Sequence, residues 1–164
     1  MCREKAIAVM KDYFGEERFT AHTMKVLSYA ERIYAAEGIR DEFVRHVVTL
    51  GSVFHDIGIP ESLKKYSSLD AQYQEREGPA VARRLMTEIG VRSDVLERVC
   101  YIVGNHHSRQ RVDGIDFQII WEADFLVNVQ EGTITIDDED LPGILETNLK
   151  TVSSRKFASE VLDR

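Results

Sequence analysis

Cysteine is nearly absent. Cys2 and Cys100 are the only two in 164 residues, too few for a disulfide framework or a thiolate metal site, and both read as reduced bystanders. Three prolines and ten glycines leave chain breakers only at well-separated points, and internal repeats, low-complexity runs and long linkers are lacking. No stretch approaches the roughly 18 consecutive apolar residues of a membrane-spanning helix, and MCREKAIAVMKDYF lacks the apolar centre of a signal peptide. A cytoplasmic protein without membrane attachment is the expectation. Positive charge is also short, 21 Lys and Arg against 28 Asp and Glu for a net charge of −7, which argues against a nucleic-acid partner. A small anionic substrate would then need a bound cation as its receptor.

What is present is 43% apolar and 30% charged side chains, the balance of one globular domain with a full core. The pattern predicts a single domain over 1–164, its core at about 18–131 and a helical tail at 139–164. The fold class is all-α, a compact bundle of about six to eight helices. Arg3 to Phe14 and Arg18 to Glu37 are amphipathic, each followed by a glycine, Gly15 and Gly38, where a helix C-terminus needs one. Asp41 opens a third segment through His55 that is apolar nearly all round and so predicts the buried central helix. Ile59 to Ser68 is polar and reads as a loop, and Leu69 to Ile89 as a helix that Pro79 breaks or kinks. Ser93 reads as the N-cap of the next helix, and Ile115 to Gln130 forms another. Thr133 to Ile136 alternates but is short for a strand, and from Leu141 onward the sequence reads as one or two helical pieces.

Some polar residues stand where this pattern predicts core. His22 shares a face with Phe19, Val26, Ala30 and Ile33. Alone, it also fits a hydrogen-bonded core histidine. Asp124 shares a face with Ile120, Ala123 and Val127, where an unpartnered carboxylate would cost several kcal/mol. An arginine or a metal ion would compensate it. His55 and Asp56 close the most apolar helix, and adjacent helical residues point about 100° apart, which suits two ligands gripping one ion from different sides. Two imidazoles and two carboxylates suit manganese, iron, cobalt, nickel, zinc or, less well, magnesium, with room left for a water and a substrate oxygen.

The order His22, then His55-Asp56, then Asp124 on successive helices resembles the HD-domain superfamily of metal-dependent phosphohydrolases. The likeness spans roughly His22 to Asn128. It includes HDIG at 55–58, EGPAVARRL at 77–85, NHH at 105–107 and EADFLVN around Asp124. It implies an all-α bundle in which His22, His55, Asp56 and Asp124 hold one divalent ion per chain, Asp56 takes part in catalysis, and activated water attacks phosphorus in a nucleotide or small phosphorylated metabolite. His106 is a candidate to protonate the leaving oxygen, and Glu77 a candidate base or supporting ligand. His107, Lys64, Lys65 and Arg109 are candidate substrate contacts, with Arg111 beside them, although each also fits solvated surface charge. His46 reads as structural. In binuclear relatives a further histidine stands where this chain has Gln74, so a second ion is the lesser expectation, with Glu75 and Glu77 nearby as substitutes. The GYP signature of cyclic-di-GMP phosphodiesterases and the HDxxED pattern of alarmone hydrolases are both missing. A di-iron oxygenase and a non-catalytic nucleotide- or metal-binding domain are the rival functions, and a homodimer stays open.

Overall fold

In the computed structural model, which describes residues 2–136 and 141–162, every regular element is helical. The helices are α1 (Cys2–Phe14), α2 (Glu17–Ala36), α3 (Glu42–Phe54), α4 (Ile59–Tyr66), α5 (Ala71–Glu88), α6 (Ser93–Val103), α7 (Ile115–Gln130), α8 (Leu141–Asn148) and α9 (Val152–Leu162), with a 3-10 turn at Arg109–Arg111. The all-α bundle expected from the sequence is what forms. No helix of the described residues is long and apolar enough to cross a membrane.

Local chemistry sets the boundaries. The Asp41 carboxylate accepts from the main-chain N–H groups of Phe43 and Val44 at 2.8 and 3.1 Å, satisfying two of the donors that begin α3. Gly15 and Gly38 stand in the left-handed region after α1 and α2, at φ +63° and +67°. Ser93 is not the cap expected of it: Arg92 holds the cap position and Ser93 is already helical, while near this terminus the Asp94 carboxylate accepts from Val95 N. The segment expected as a loop at 59–68 is mostly α4, which Pro60 enters in its first turn. Only Ile59 and Ser62 of α4 are buried, so it carries almost none of the periodicity that marks longer helices. α5 runs through Pro79 without ending. The four residues Thr133–Ile136 form no strand: they bend after the end of α7, where both Thr133 N and Ile134 N donate to the Asn128 carbonyl. The tail contains α8 and α9, while residues 139, 140, 163 and 164 of that expectation lie outside the described residues.

α3 is the central rod, packed by α1, α2, α6 and α7. One apolar cluster joins α3 to α1, α5 and α6 through Met10, Leu50, Phe54, Met86 and Ile102; a second joins α2, α7 and α9 through Val26, Ile33, Ile119, Leu126 and Val161. Two carboxylates tie the tail down. Glu122, fully buried, accepts from Lys150 N, Thr151 N, Thr151 Oγ1 and Gln118 Nε2. Glu37 accepts from Ser153 N and Oγ at the start of α9.

The turn after α3 needs a close approach of main chain to main chain. A Cβ on Gly58 would stand 2.4 Å from the Gln74 carbonyl oxygen and 2.8 Å from Gly78 N, and one on Gly78 would stand 2.6 Å from Val103 Cγ1. Main chain rests on main chain there, so neither side can yield cheaply. Gly58→Ala is expected to lower unfolding free energy by about 1–3 kcal/mol or more in denaturant titration. Gly143→Ala, with open space around its Cβ, should leave stability unchanged or slightly higher.

Candidate metal centre

Four elements converge on one face of the bundle. His22 comes from the second turn of α2, His55 caps the C-terminus of α3, Asp56 follows it in the turn seated on α5, and Asp124 projects from the middle of α7. His22 Nε2 lies 3.1 Å from Asp124 Oδ1 and 3.6 Å from Asp56 Oδ2. His55 Nε2 lies 3.3 Å from Asp56 Oδ2 and 3.6 Å from Asp124 Oδ1. The other oxygen of Asp56 faces His106 Nε2 at 3.2 Å. The four residues singled out as ligands therefore come together, with His106 against them.

The hydrogen bonds on the far side of each ring decide the chemistry. His55 Nδ1 lies 2.8 Å from the Ser52 carbonyl and His106 Nδ1 2.8 Å from the Val103 carbonyl. A carbonyl can only accept, so both Nδ1 atoms carry hydrogen. His22 Nδ1 lies 2.9 Å from Glu131 Oε2, which likewise only accepts when ionised. In the neutral rings each Nε2 is then a lone pair aimed at a carboxylate oxygen. Acceptor facing acceptor is repulsive unless a proton or a cation lies between them. His55 Nε2 is buried with no hydrogen-bond partner among the described residues. A divalent cation among His22, His55, Asp56 and Asp124 would give His55 Nε2 a partner, and the mixed nitrogen and oxygen set is compatible with one.

Without a cation the groups depend on protons. Burial opposes charge on His22, but the bond to Asp124 and the field of Asp56 outweigh it and hold its pKa above the ordinary value. Burial opposes charge on His55 too, and Asp56 and Asp124 prevail more strongly, placing it well above. Burial would raise both carboxyls; instead His55 and His106 hold Asp56 well below its usual range, and His22 and His55 lower Asp124.

The site floors a cavity of about 460 Å³ lined by Arg18, Phe19, Ile59, Leu69, Gln74, His107, Asn128, Glu131 and Thr133 as well as by His22, Asp56 and Asp124. A recess of about 130 Å³ beside it reaches His106 and Trp121. His107 reaches the cavity, and its main-chain N–H bonds to Glu75. Lys64, Lys65, Glu77 and Arg109 are not among the residues that line it. Glu77 is tied to Lys65 and Tyr66, and Lys65 also to Glu61. His46 lines a separate cavity of about 430 Å³ beside α1 and α2, with Arg3, Glu31 and Arg45. Sequence alone assigns no role to Glu131 and none to Asn128 beyond its place in EADFLVN, although Asp124, Asn128 and Glu131 follow at i, i+4 and i+7, one stripe of α7 and its C-cap.

The shifts predict opposite pH trends with and without metal. In the ion-free chain, the imidazoles contribute stability below about pH 6.5 that is lost as pH rises through their raised pKa values; the carboxylates contribute above about pH 4, lost as pH falls. Metal uptake must expel imidazole protons, so it strengthens with rising pH. From about pH 6 to about pH 8.5, the thermal midpoint of the ion-free chain should fall while the gap between Mn2+-loaded and ion-free midpoints widens. A gap independent of pH would contradict imidazole ligation.

Neither a family model nor a curated protein matches the chain by sequence. Its fold matches the crystal structure of a predicted HD superfamily hydrolase from an uncultured Thermotogales bacterium, with a TM-score of 0.68 and 17% identity over 98% of this chain and 84% of that one. The ligand atoms of His22, His55 and Asp56 lie within 4.8 Å of one another, as do those of Asp56, His106 and His107. The chain thus has the fold of an HD superfamily protein, with His and Asp clusters compatible with a divalent metal site.

Proposed function

We propose that this protein is a metal-dependent phosphohydrolase that cleaves a phosphate mono- or diester of a nucleotide or similar small phosphorylated metabolite. The observation that carries this reading is the buried, partnerless His55 Nε2 facing Asp56 and Asp124. Those atoms, with His22 Nε2, would hold the ion. When bound, a divalent ion polarises a phosphoryl oxygen and lowers the pKa of a water.

The remaining steps belong to the side chains. Asp56 would help hold the ion, and its Oδ1 faces His106 Nε2. The Val103 carbonyl occupies His106 Nδ1, leaving Nε2 as the ring atom that can carry a proton to the leaving oxygen. Arg18 supplies positive charge at the cavity wall, and Phe19, Ile59 and Leu69 give an apolar surface for the organic part of the substrate. The volume suits a ligand of nucleotide size.

Two ions sharing Asp56 is a second reading, favoured by the cluster of Asp56, His106 and His107. Against it, Gln74 offers only a neutral carboxamide; its nitrogen donates to the Leu69 carbonyl, and its buried oxygen, without a hydrogen-bond partner among the described residues, is a weaker ligand than imidazole or carboxylate.

Metal content and phosphate release from a monoester, a diester and a nucleotide panel test the proposal in wild type and Asp124→Ala. The expected result is about one ion per wild-type chain and a loss of turnover of about three orders of magnitude in the variant, several kcal/mol of transition-state stabilisation. Helicity should survive, because the core clusters and not the ion hold the helices. Two irons without phosphate release would favour an oxygenase; no ion and no turnover would leave a binding domain.

A further inference from the structure

We infer that Glu131, clamped by Lys25, is a positioning residue that fixes the ring of His22 for metal binding; the inference rests on the metal reading above. The three imidazoles of the site are oriented by two different devices. His55 and His106 each sit just past a helix end and bond to a carbonyl three residues earlier, Ser52 and Val103. Their orientation is local and needs no other element. His22 lies inside α2, where carbonyls of the preceding turn are engaged in the helix itself. Its Nδ1 must find an acceptor elsewhere.

Glu131 provides it from α7, 109 positions away in sequence, with Oε2 2.9 Å from Nδ1. Its second oxygen accepts from Lys25 Nζ at 2.8 Å. Lys25 stands three residues after His22 on the same face of α2, so the carboxylate is held between two side chains of one helix. With both oxygens engaged, Glu131 is a support and not a ligand. Its place is otherwise unfavourable, since it caps the C-terminus of α7, the negative end of a helix, whose last turn carries no basic residue. Gly132, at φ +72°, then reverses the chain, and Thr133 N and Ile134 N close back on the Asn128 carbonyl. Asn128 Nδ2 also donates to Asp124 Oδ1 at 2.8 Å. The C-terminal half of α7 with its cap thus supplies a ligand, that ligand's support, and the support of the ligand opposite.

A carboxylate behind a ligating imidazole fixes the tautomer and raises the basicity of the other nitrogen, and its loss typically costs ten- to a hundredfold in metal affinity. The full chain, as wild type, Glu131→Gln, Glu131→Ala and Lys25→Ala, is titrated with Mn2+, and ion-free thermal midpoints and His22 ring nitrogen shifts are recorded. Glu131→Ala should bind Mn2+ about ten- to a hundredfold more weakly and lose the Nδ1-protonated signature of His22, with an ion-free midpoint close to wild type. Glu131→Gln, whose carboxamide oxygen still accepts, should keep that signature and most of the affinity, and Lys25→Ala should fall between. Equal Mn2+ affinity in wild type and Glu131→Ala would overturn the positioning role while leaving the metal reading intact. So would a Glu131→Gln loss as large as that of Glu131→Ala, or a weakening matched by unfolding of the ion-free chain. A wild type that takes up no Mn2+ would remove the metal reading, and this inference with it.

Discussion

The carboxylate of Asp56 is contacted by imidazole nitrogen on both sides, His22 and His55 at one oxygen and His106 at the other. Every ring there has spent its Nδ1 hydrogen on an oxygen outside the site. What remains is a set of lone pairs pointed at negative oxygens, an arrangement that needs positive charge to persist. Much of the local fold serves to hold this otherwise unstable set. The end of α3 presents His55 and Asp56 on successive positions. The contact of Gly58 with α5 fixes the turn that carries Asp56, and the stripe Asp124, Asn128, Glu131 aligns α7 against α2.

The same contact explains why two short glycine-bearing runs far apart in sequence belong together. HDIG needs Gly58 because main chain of α5, at Gln74 and Gly78, occupies the space of its side chain. Closing this gap also brings Gln74 to the cavity. The gap between α3 and α7 is equally tight, since a Cβ on Gly51 would stand 2.4 Å from Ile120 Cδ1. Small residues on the central rod thus set how closely the ligand-bearing helices can approach.

The long helices were legible in sequence because their apolar periodicity and terminal glycines agree. α7 follows the expected Ile115 to Gln130 span, and α3 fits its place as the buried rod. α4 was not legible, because eight residues with two buried positions offer no pattern to count. The convergence of His22, His55, Asp56 and Asp124 was foreseeable as polar groups on apolar faces. The supports were not, because Glu131 and Lys25 look like ordinary surface charge until α2 and α7 are placed side by side. Lys64, Lys65, Glu77 and Arg109 fail to reach the cavity for the converse reason. Proximity to a motif in sequence fixes neither the face of a helix nor the partner a charge finds, and Glu77 finds Lys65 and Tyr66.

Glu122 sharpens what burial alone can say. It stands two residues before Asp124 and is more deeply buried, yet its carboxylate meets main-chain N–H groups of Lys150 and Thr151, a hydroxyl and a carboxamide. Donors satisfy it, so it needs no cation and serves to fasten the chain leading into α9. Asp124 meets the Nε2 atoms of two imidazoles already committed at Nδ1, with one donor, Asn128, beside them. The shortage of donors around a carboxylate, and not its depth, is therefore what distinguishes a place compatible with a metal ion. By that criterion Asp56 and Asp124, whose neighbours are chiefly imidazole nitrogens, are the carboxylates whose surroundings are compatible with a cation.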